Sequence, residues 1–223
     1  MLALPDETVP VEIKICGLTR SVDAEFADAA GASYLGVIFA GGPRQRLPKD
    51  AKATLAGRRA RKVGVFADQA EGEIASIVDV VGLDVVQLHG TSEVARIRAV
   101  RAATGREVWC VVRTSTGQLP GDIEELAEAA DALLIDAMVP GQLGGSGITI
   151  PWLQLGEALD AMQTGHRIVL AGGLTPGNVE EAIDYVSPMV VDVSSGVESA
   201  PGIKDHQRIR AFIAAVRASG AAA

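Results

Sequence analysis

Cysteine is scarce: Cys16 and Cys110 are the only two, which fits neither a disulfide framework nor a zinc site. Aromatic residues make up only 4% of the chain. No apolar run approaches the roughly 20 residues needed to span a bilayer. Val108–Val112 and Met189–Val191 are typical of the runs present, and they exclude a transmembrane helix. Positive charge is short as well: 20 Lys and Arg against 28 Asp and Glu give a formal net charge of −8. That balance argues against nucleic acid or an anionic membrane as partner, since both call for clustered Lys and Arg. It leaves room for a small anionic ligand held by backbone N–H groups, helix N-termini and a few placed cations. The N-terminal residues show no basic region, apolar stretch or small-residue cleavage site, so a cytoplasmic location is expected.

What is present is globular: 48% hydrophobic and 22% charged residues in a chain of 223. α/β barrels of this length often remain undivided, so residues 1–223 are expected to form one domain, with 1–10 and 219–223 loosely ordered. Short β-branched runs recur at Val11–Cys16, Tyr34–Phe39, Lys62–Phe66, Val85–Leu88, Glu107–Val112, Ala132–Asp136, Arg167–Leu170 and Val190–Val193. Between them lie helical stripes. Ile74, Ile77, Val78 and Val81 form one, and Ile209, Phe212, Ile213 and Val216 another. Val179, Ile183 and Val186 form a third, after Thr175-Pro176, which reads as an N-cap followed by proline at the first helical position. Eight apolar strands alternating with amphipathic helices predict a parallel sheet covered on both faces. The length favours closure into a single (β/α)8 TIM barrel. An open doubly wound sheet is the alternative, but Cys16-Gly17-Leu18-Thr19 stands where its glycine fingerprint would be.

In such a barrel, chemistry gathers at the C-terminal ends of the strands. That rule selects Cys16, Asp136, the Gly172-Gly173 pair and Ser194-Ser195-Gly196. Glycine and serine at the last two strand ends let backbone N–H groups approach an anion, so a phosphate site is expected there, aided by the N-termini of the helices that follow. The plainer reading makes these glycines simple tight turns. Cys16 then reads as a small core residue and Asp136 as a strand-end cap of backbone N–H groups.

Six segments taken in order carry a more specific signal: Lys14-Ile-Cys-Gly-Leu-Thr, Val63-Gly-Val-Phe, Gln87-Leu-His-Gly, Gly144-Gly-Ser-Gly, Leu170-Ala-Gly-Gly-Leu-Thr-Pro-Gly-Asn-Val and Asp192-Val-Ser-Ser-Gly-Val-Glu. Together they resemble the phosphoribosylanthranilate isomerases, nearly from end to end. The resemblance implies a phosphorylated small-molecule substrate rearranged from aldose to ketose with no cofactor; no metal is expected, and the sequence leaves monomer and homodimer both open. It assigns Cys16 as general base and Asp136 as general acid. Arg44 matches the arginine that positions the anthranilate carboxylate, although Gly42 replaces a common serine in Gly41-Gly-Pro-Arg-Gln-Arg and Arg46 competes for the role. Gln87, His89, Arg113, Gly144 and Gly145 join the substrate-binding set with Gly172, Gly173, Ser194, Ser195 and Gly196.

Each assignment makes a physical demand. A thiol of ordinary pKa, about 8.5, is only a few per cent ionised at neutral pH, so a cation such as Lys14 would help Cys16 become a base. Lys14 shares a strand face with Cys16 and is expected one layer deeper. Two further departures from the family pattern touch loops only: Ser146 replaces a usual threonine, and Ile150-Pro-Trp152 replaces Phe-Asp-Trp. The nearest alternative is the related isomerase of histidine biosynthesis, or a bifunctional relative. Those proteins carry aspartate on the first strand and a second phosphate site. A phosphate-binding barrel without catalysis is the alternative from another class.

Overall fold

Residues whose side chains alternate between two apolar environments have to lie in a sheet covered on both sides, and the chain folds accordingly. The computed structural model describes residues 10–90, 93–136, 151–162 and 165–219. Its strands are β1 (Glu12–Ile15), β2 (Tyr34–Ile38), β3 (Arg61–Phe66), β4 (Val85–Leu88), β5 (Glu107–Arg113), β6 (Ala132–Asp136), β7 (Ile168–Ala171) and β8 (Val190–Val193). They pair in parallel in chain order, and β8 returns to β1 with Lys14 opposite Asp192 and Ile15 opposite Val193, closing the barrel. The helices are α1 (Ser21–Ala30), α2 (Pro48–Leu55), α3 (Glu71–Val81), α4 (Val94–Thr104), α5 (Ile123–Ala129), α6 (Trp152–Asp160), α7 (Val179–Val186) and α8 (His206–Ser219). Ser219, expected in a loose end, is the last residue of α8. Among the described residues no helix is long and apolar enough to cross a membrane.

The core has two shells. Outward strand residues such as Ile13, Leu35, Val86 and Ile135 pack against the helices, and all three apolar stripes legible in the sequence are buried there. Inward residues Tyr34, Val63, Val85, Trp109, Leu134 and Val169 fill the barrel itself. Below them, Arg61 and Arg167 bind Glu12, Glu107 and the Tyr34 hydroxyl, closing the N-terminal end with charge-assisted hydrogen bonds. Because side chains on a strand alternate, Glu12, Lys14 and Cys16 climb one inner face from this plug to the opposite mouth.

Two local features differ from the sequence expectation. The hydrogen-bonded turn at Thr175 does open α7, with the Asn178 side chain accepting from the Thr175 N–H at 2.7 Å, but regular helix begins only at Val179. After β8 no α-helix follows Ser194–Gly196 directly. A 3-10 turn (Ser195–Val197) leads into a hairpin, β9 (Glu198–Ala200) and β10 (Ile203–Lys204), and α8 follows. The α8 N-terminus is capped instead by the Asp205 carboxylate, which accepts from Gln207 and Arg208 N–H.

Candidate active site

The C-terminal mouth of the barrel opens into a cavity of about 440 Å³, within the range of small-molecule sites. Cys16, at the end of β1, and Asp136, at the end of β6, both line it. So do Arg44, Gln87 and His89, together with both glycine and serine segments, 172–173 and 194–196. Arg113 lies at the rim, exposed, with Nη2 donating to the His89 carbonyl at 2.6 Å, and it does not line the cavity. Gly144 and Gly145 lie outside the described residues.

Cys16 is fixed by its strand: its N–H donates to the Val193 carbonyl at 2.9 Å. Beneath it Lys14 is fully buried, as its register requires, and its Nζ is 2.8 Å from Asp192 Oδ2. Burial works against the Lys14 ammonium, but the Asp192 carboxylate beside it outweighs burial and keeps the lysine charged. Burial pushes the Cys16 thiol up; Lys14 draws it down, and Asp192 opposes Lys14. Burial prevails, and the Cys16 thiol stands above its ordinary value.

On the wall opposite Cys16, Asp136 is half-buried, and its backbone is held by pairing with Arg113 and Ala171 and by an N–H from Thr114 at 3.1 Å. His89 nearby is held below the ordinary imidazole range, by burial first and by Arg113 second, while Asp136 pulls the other way. A neutral imidazole suits hydrogen bonding rather than charge. Gln87 Oε1, His89 Nδ1 and Asp192 Oδ1 are buried polar atoms without a hydrogen-bond partner among the described residues. Buried groups of that kind are normally satisfied, and a ligand rich in hydroxyls would satisfy them.

One side of the cavity is built from two touching loops. Gly172 and Gly173 both adopt positive φ, 95° and 68°, which a side chain would strain, and this turns the chain sharply after β7. Gly196 lies so close to the Leu174 carbonyl that a Cβ there would sit 1.9 Å from its oxygen. The loops after β7 and β8 therefore meet backbone to backbone, which is how N–H groups are brought together around an anion.

Arg44 enters from the loop after β2 and lines the cavity, whereas Arg46 lies outside the lining and pairs with Asp50 at 3.8 Å. Arg44 is gripped from behind: Nε and Nη2 donate to the two Glu198 oxygens at 2.8 and 2.6 Å. Lys204 donates to the same carboxylate at 2.9 Å and to the Ser194 carbonyl at 3.0 Å. Burial would raise the Glu198 carboxyl, but Arg44 and Lys204 hold it below the ordinary range. Glu198, Lys204 and Asp192 escaped the sequence reading as site residues. The signal available for Glu198 and Asp192 was their place in the Asp192–Glu198 motif; Lys204 had none.

A closed parallel barrel whose ionisable groups converge on one cavity at the strand C-termini defines a TIM barrel of the enzyme type. The model of the N-(5'-phosphoribosyl)anthranilate (PRA) isomerase family matches residues 13–215. The N-(5'-phosphoribosyl)anthranilate isomerase of Paracoccus denitrificans is 42% identical over 211 residues, covering 92% of this chain and 96% of that one. The crystal structure of the Thermotoga maritima phosphoribosyl anthranilate isomerase superposes with a TM-score of 0.81 at 35% identity, covering 93% and 99% of the two chains. A phosphoribosyl anthranilate isomerase in complex with reduced 1-(o-carboxyphenylamino)-1-deoxyribulose 5-phosphate gives a TM-score of 0.79 at 32% identity, with the same coverage. The chain belongs to the PRA isomerase family.

Proposed function

We propose that this barrel isomerises N-(5'-phosphoribosyl)anthranilate to 1-(2-carboxyphenylamino)-1-deoxyribulose 5-phosphate, with Asp136 as general acid and Cys16 as general base. The activity is an Amadori rearrangement in tryptophan biosynthesis, carried out in the cytoplasm. The observation that carries the residue roles is that Cys16 and Asp136, from strands β1 and β6, line one cavity with the paired glycine and serine loops beside them.

The steps follow from that placement. The loops after β7 and β8 take the phosphate, and Arg44 faces the anthranilate carboxylate with the donors that Glu198 leaves unused. Protonated Asp136 gives its proton to the furanose ring oxygen as the C1' bond to that oxygen breaks and the nitrogen lone pair forms the Schiff base. The Cys16 thiolate then removes the C2' proton, and the electron pair moves toward the iminium nitrogen to give an enolamine. Tautomerisation of the C2' enol gives the ketone and completes the aldose-to-ketose change without net oxidation. Lys14 supplies the nearby positive charge that favours the thiolate.

The test is turnover. Substrate generated in situ should lose its fluorescence in the presence of the wild-type protein in chelator-treated buffer. A folded protein that binds phosphate yet leaves the fluorescence unchanged would overturn the assignment.

A further inference from the structure

The Arg44–Glu198–Lys204 chain has a geometry that substrate binding alone does not require. A site for a phosphate and a carboxylate gains nothing directly from a third anion at its edge, yet the Glu198 side chain stands there only 4% exposed. Lys204, entirely buried, faces Glu198 across the β9–β10 hairpin. The Arg208 guanidinium fixes the Glu198 carbonyl at 2.6 Å, and Thr19 donates to the carbonyl of Gly202 at the hairpin tip. Glu198 is therefore held by several elements at once. Arg44 is not: it follows Gly41-Gly42, its side chain is 24% exposed, and among the described residues its side-chain hydrogen bonds both go to Glu198.

The two bonds use one edge of the guanidinium, Nε with Nη2. They leave Nη1 and the second Nη2 proton as another fork, and Nη1 has no partner among the described residues. The Lys204 ammonium joins this arrangement to the Ser194 carbonyl, so the arginine and the β8 phosphate loop are parts of one connected frame.

We infer that Glu198, seated by Lys204, is a positioning residue that holds Arg44 at a fixed span from the phosphate loop and thereby makes the site selective for ribosylamine phosphates whose aromatic amine bears a carboxylate. The inference rests on the substrate reading above. Glu198 touches no substrate; it acts through Arg44. A guanidinium already locked in its binding rotamer loses little freedom when the carboxylate arrives, and its spent edge cannot turn toward other anions.

The experiment compares the parent substrate with the analogue made from aniline, which lacks the carboxylate, in the wild type, Glu198→Gln and Glu198→Asp. With the parent substrate, Glu198→Gln should raise KM by roughly tenfold while kcat changes much less, the pattern of lost uniform binding through a charge-assisted contact. With the aniline analogue the wild type and Glu198→Gln should have equal KM. Glu198→Asp keeps the charge that balances Arg44 and Lys204, and it should recover part of the lost affinity for the parent substrate alone. It also serves as the readout should the neutral variant fail to fold. An equal rise in KM for both substrates would assign Glu198 to the general shape of the loop and overturn the inference. So would an unchanged KM for the parent substrate, with the function left intact because the wild type still turns over. Absence of wild-type turnover would remove the function and this inference together.

Discussion

Asp192 holds the Lys14 ammonium at 2.8 Å inside the barrel, and the two residues face each other in register across the β8–β1 seam, one layer beneath Cys16. The carboxylate keeps a fully buried lysine charged, and the lysine in turn is the nearest counterweight to the burial that raises the Cys16 thiol. The strand register that closes the barrel thus also sets the electrostatics of the proposed base.

The pH dependence follows from the sign of that shift. The base form is the thiolate, and a raised thiol pKa means that the thiolate becomes populated only at higher pH. In the free enzyme kcat/KM should therefore climb on the alkaline side of an ordinary thiol. Lys14→Met should move the climb further alkaline and, by leaving Asp192 buried without its partner, cost about 3–5 kcal/mol of stability. A pH profile of both proteins beside their melting curves tests this. A wild-type profile already level below pH 7, or one that Lys14→Met leaves in place, would contradict it.

The loops proposed to take the phosphate make a different demand. Ser195 is exposed at the cavity edge and belongs to the segment that meets the β7 loop through Gly196. Ser195→Glu places a negative charge against the phosphate, so KM should rise by at least about tenfold with little change in kcat. Steady-state kinetics over a range of substrate concentrations gives the answer, and an unchanged KM would move the phosphate elsewhere.

Much of this was legible in the sequence because it depends on periodicity. The β-branched runs at Val85–Leu88 and Val190–Val193 have the same limits in the structure, and Val11–Cys16 differs from β1 by one residue at each end. The stripes of α3, α7 and α8 were readable for the same reason: burial on one helix face forces the spacing. Cys16 and Asp136 sit at strand ends, where the barrel rule and the family motifs both direct attention. The β9–β10 hairpin was not legible, since Glu198–Lys204 is too short and too polar to show an alternating pattern. Nor was the Arg44–Glu198 bridge, which joins residues 154 positions apart and exists only once the loop after β2 meets that hairpin. The helix expected directly behind Ser194–Gly196 was displaced by this same insertion.

Stability in acid has a separate origin at the edge of the barrel. Asp23 is buried, and burial alone would raise its carboxyl. Arg20 by two hydrogen bonds, His206 and the Lys204 N–H together hold it below the ordinary value. A carboxyl depressed in the folded state adds stability that is fully present above its unfolded pKa, near 4, and is lost as pH falls through the folded value. Asp23→Asn should lower stability at pH 7 by about 1–3 kcal/mol, since it weakens a buried charge-assisted network. It should also flatten the loss seen on acidification below about pH 4. Denaturant unfolding at a series of pH values measures both, and parallel curves for the two proteins would contradict the assignment.

In the proposed mechanism Cys16 and Asp136 divide the proton transfers between them. The most direct measurement is single-turnover conversion of phosphoribosylanthranilate by the wild type, Cys16→Ala and Asp136→Asn, each checked for a native fold and for binding of a product analogue. General acid–base roles predict that each substitution slows the chemical step by about 100-fold or more while the analogue still binds. A variant that binds the analogue and converts substrate within a few-fold of the wild-type rate would contradict the role given to that residue.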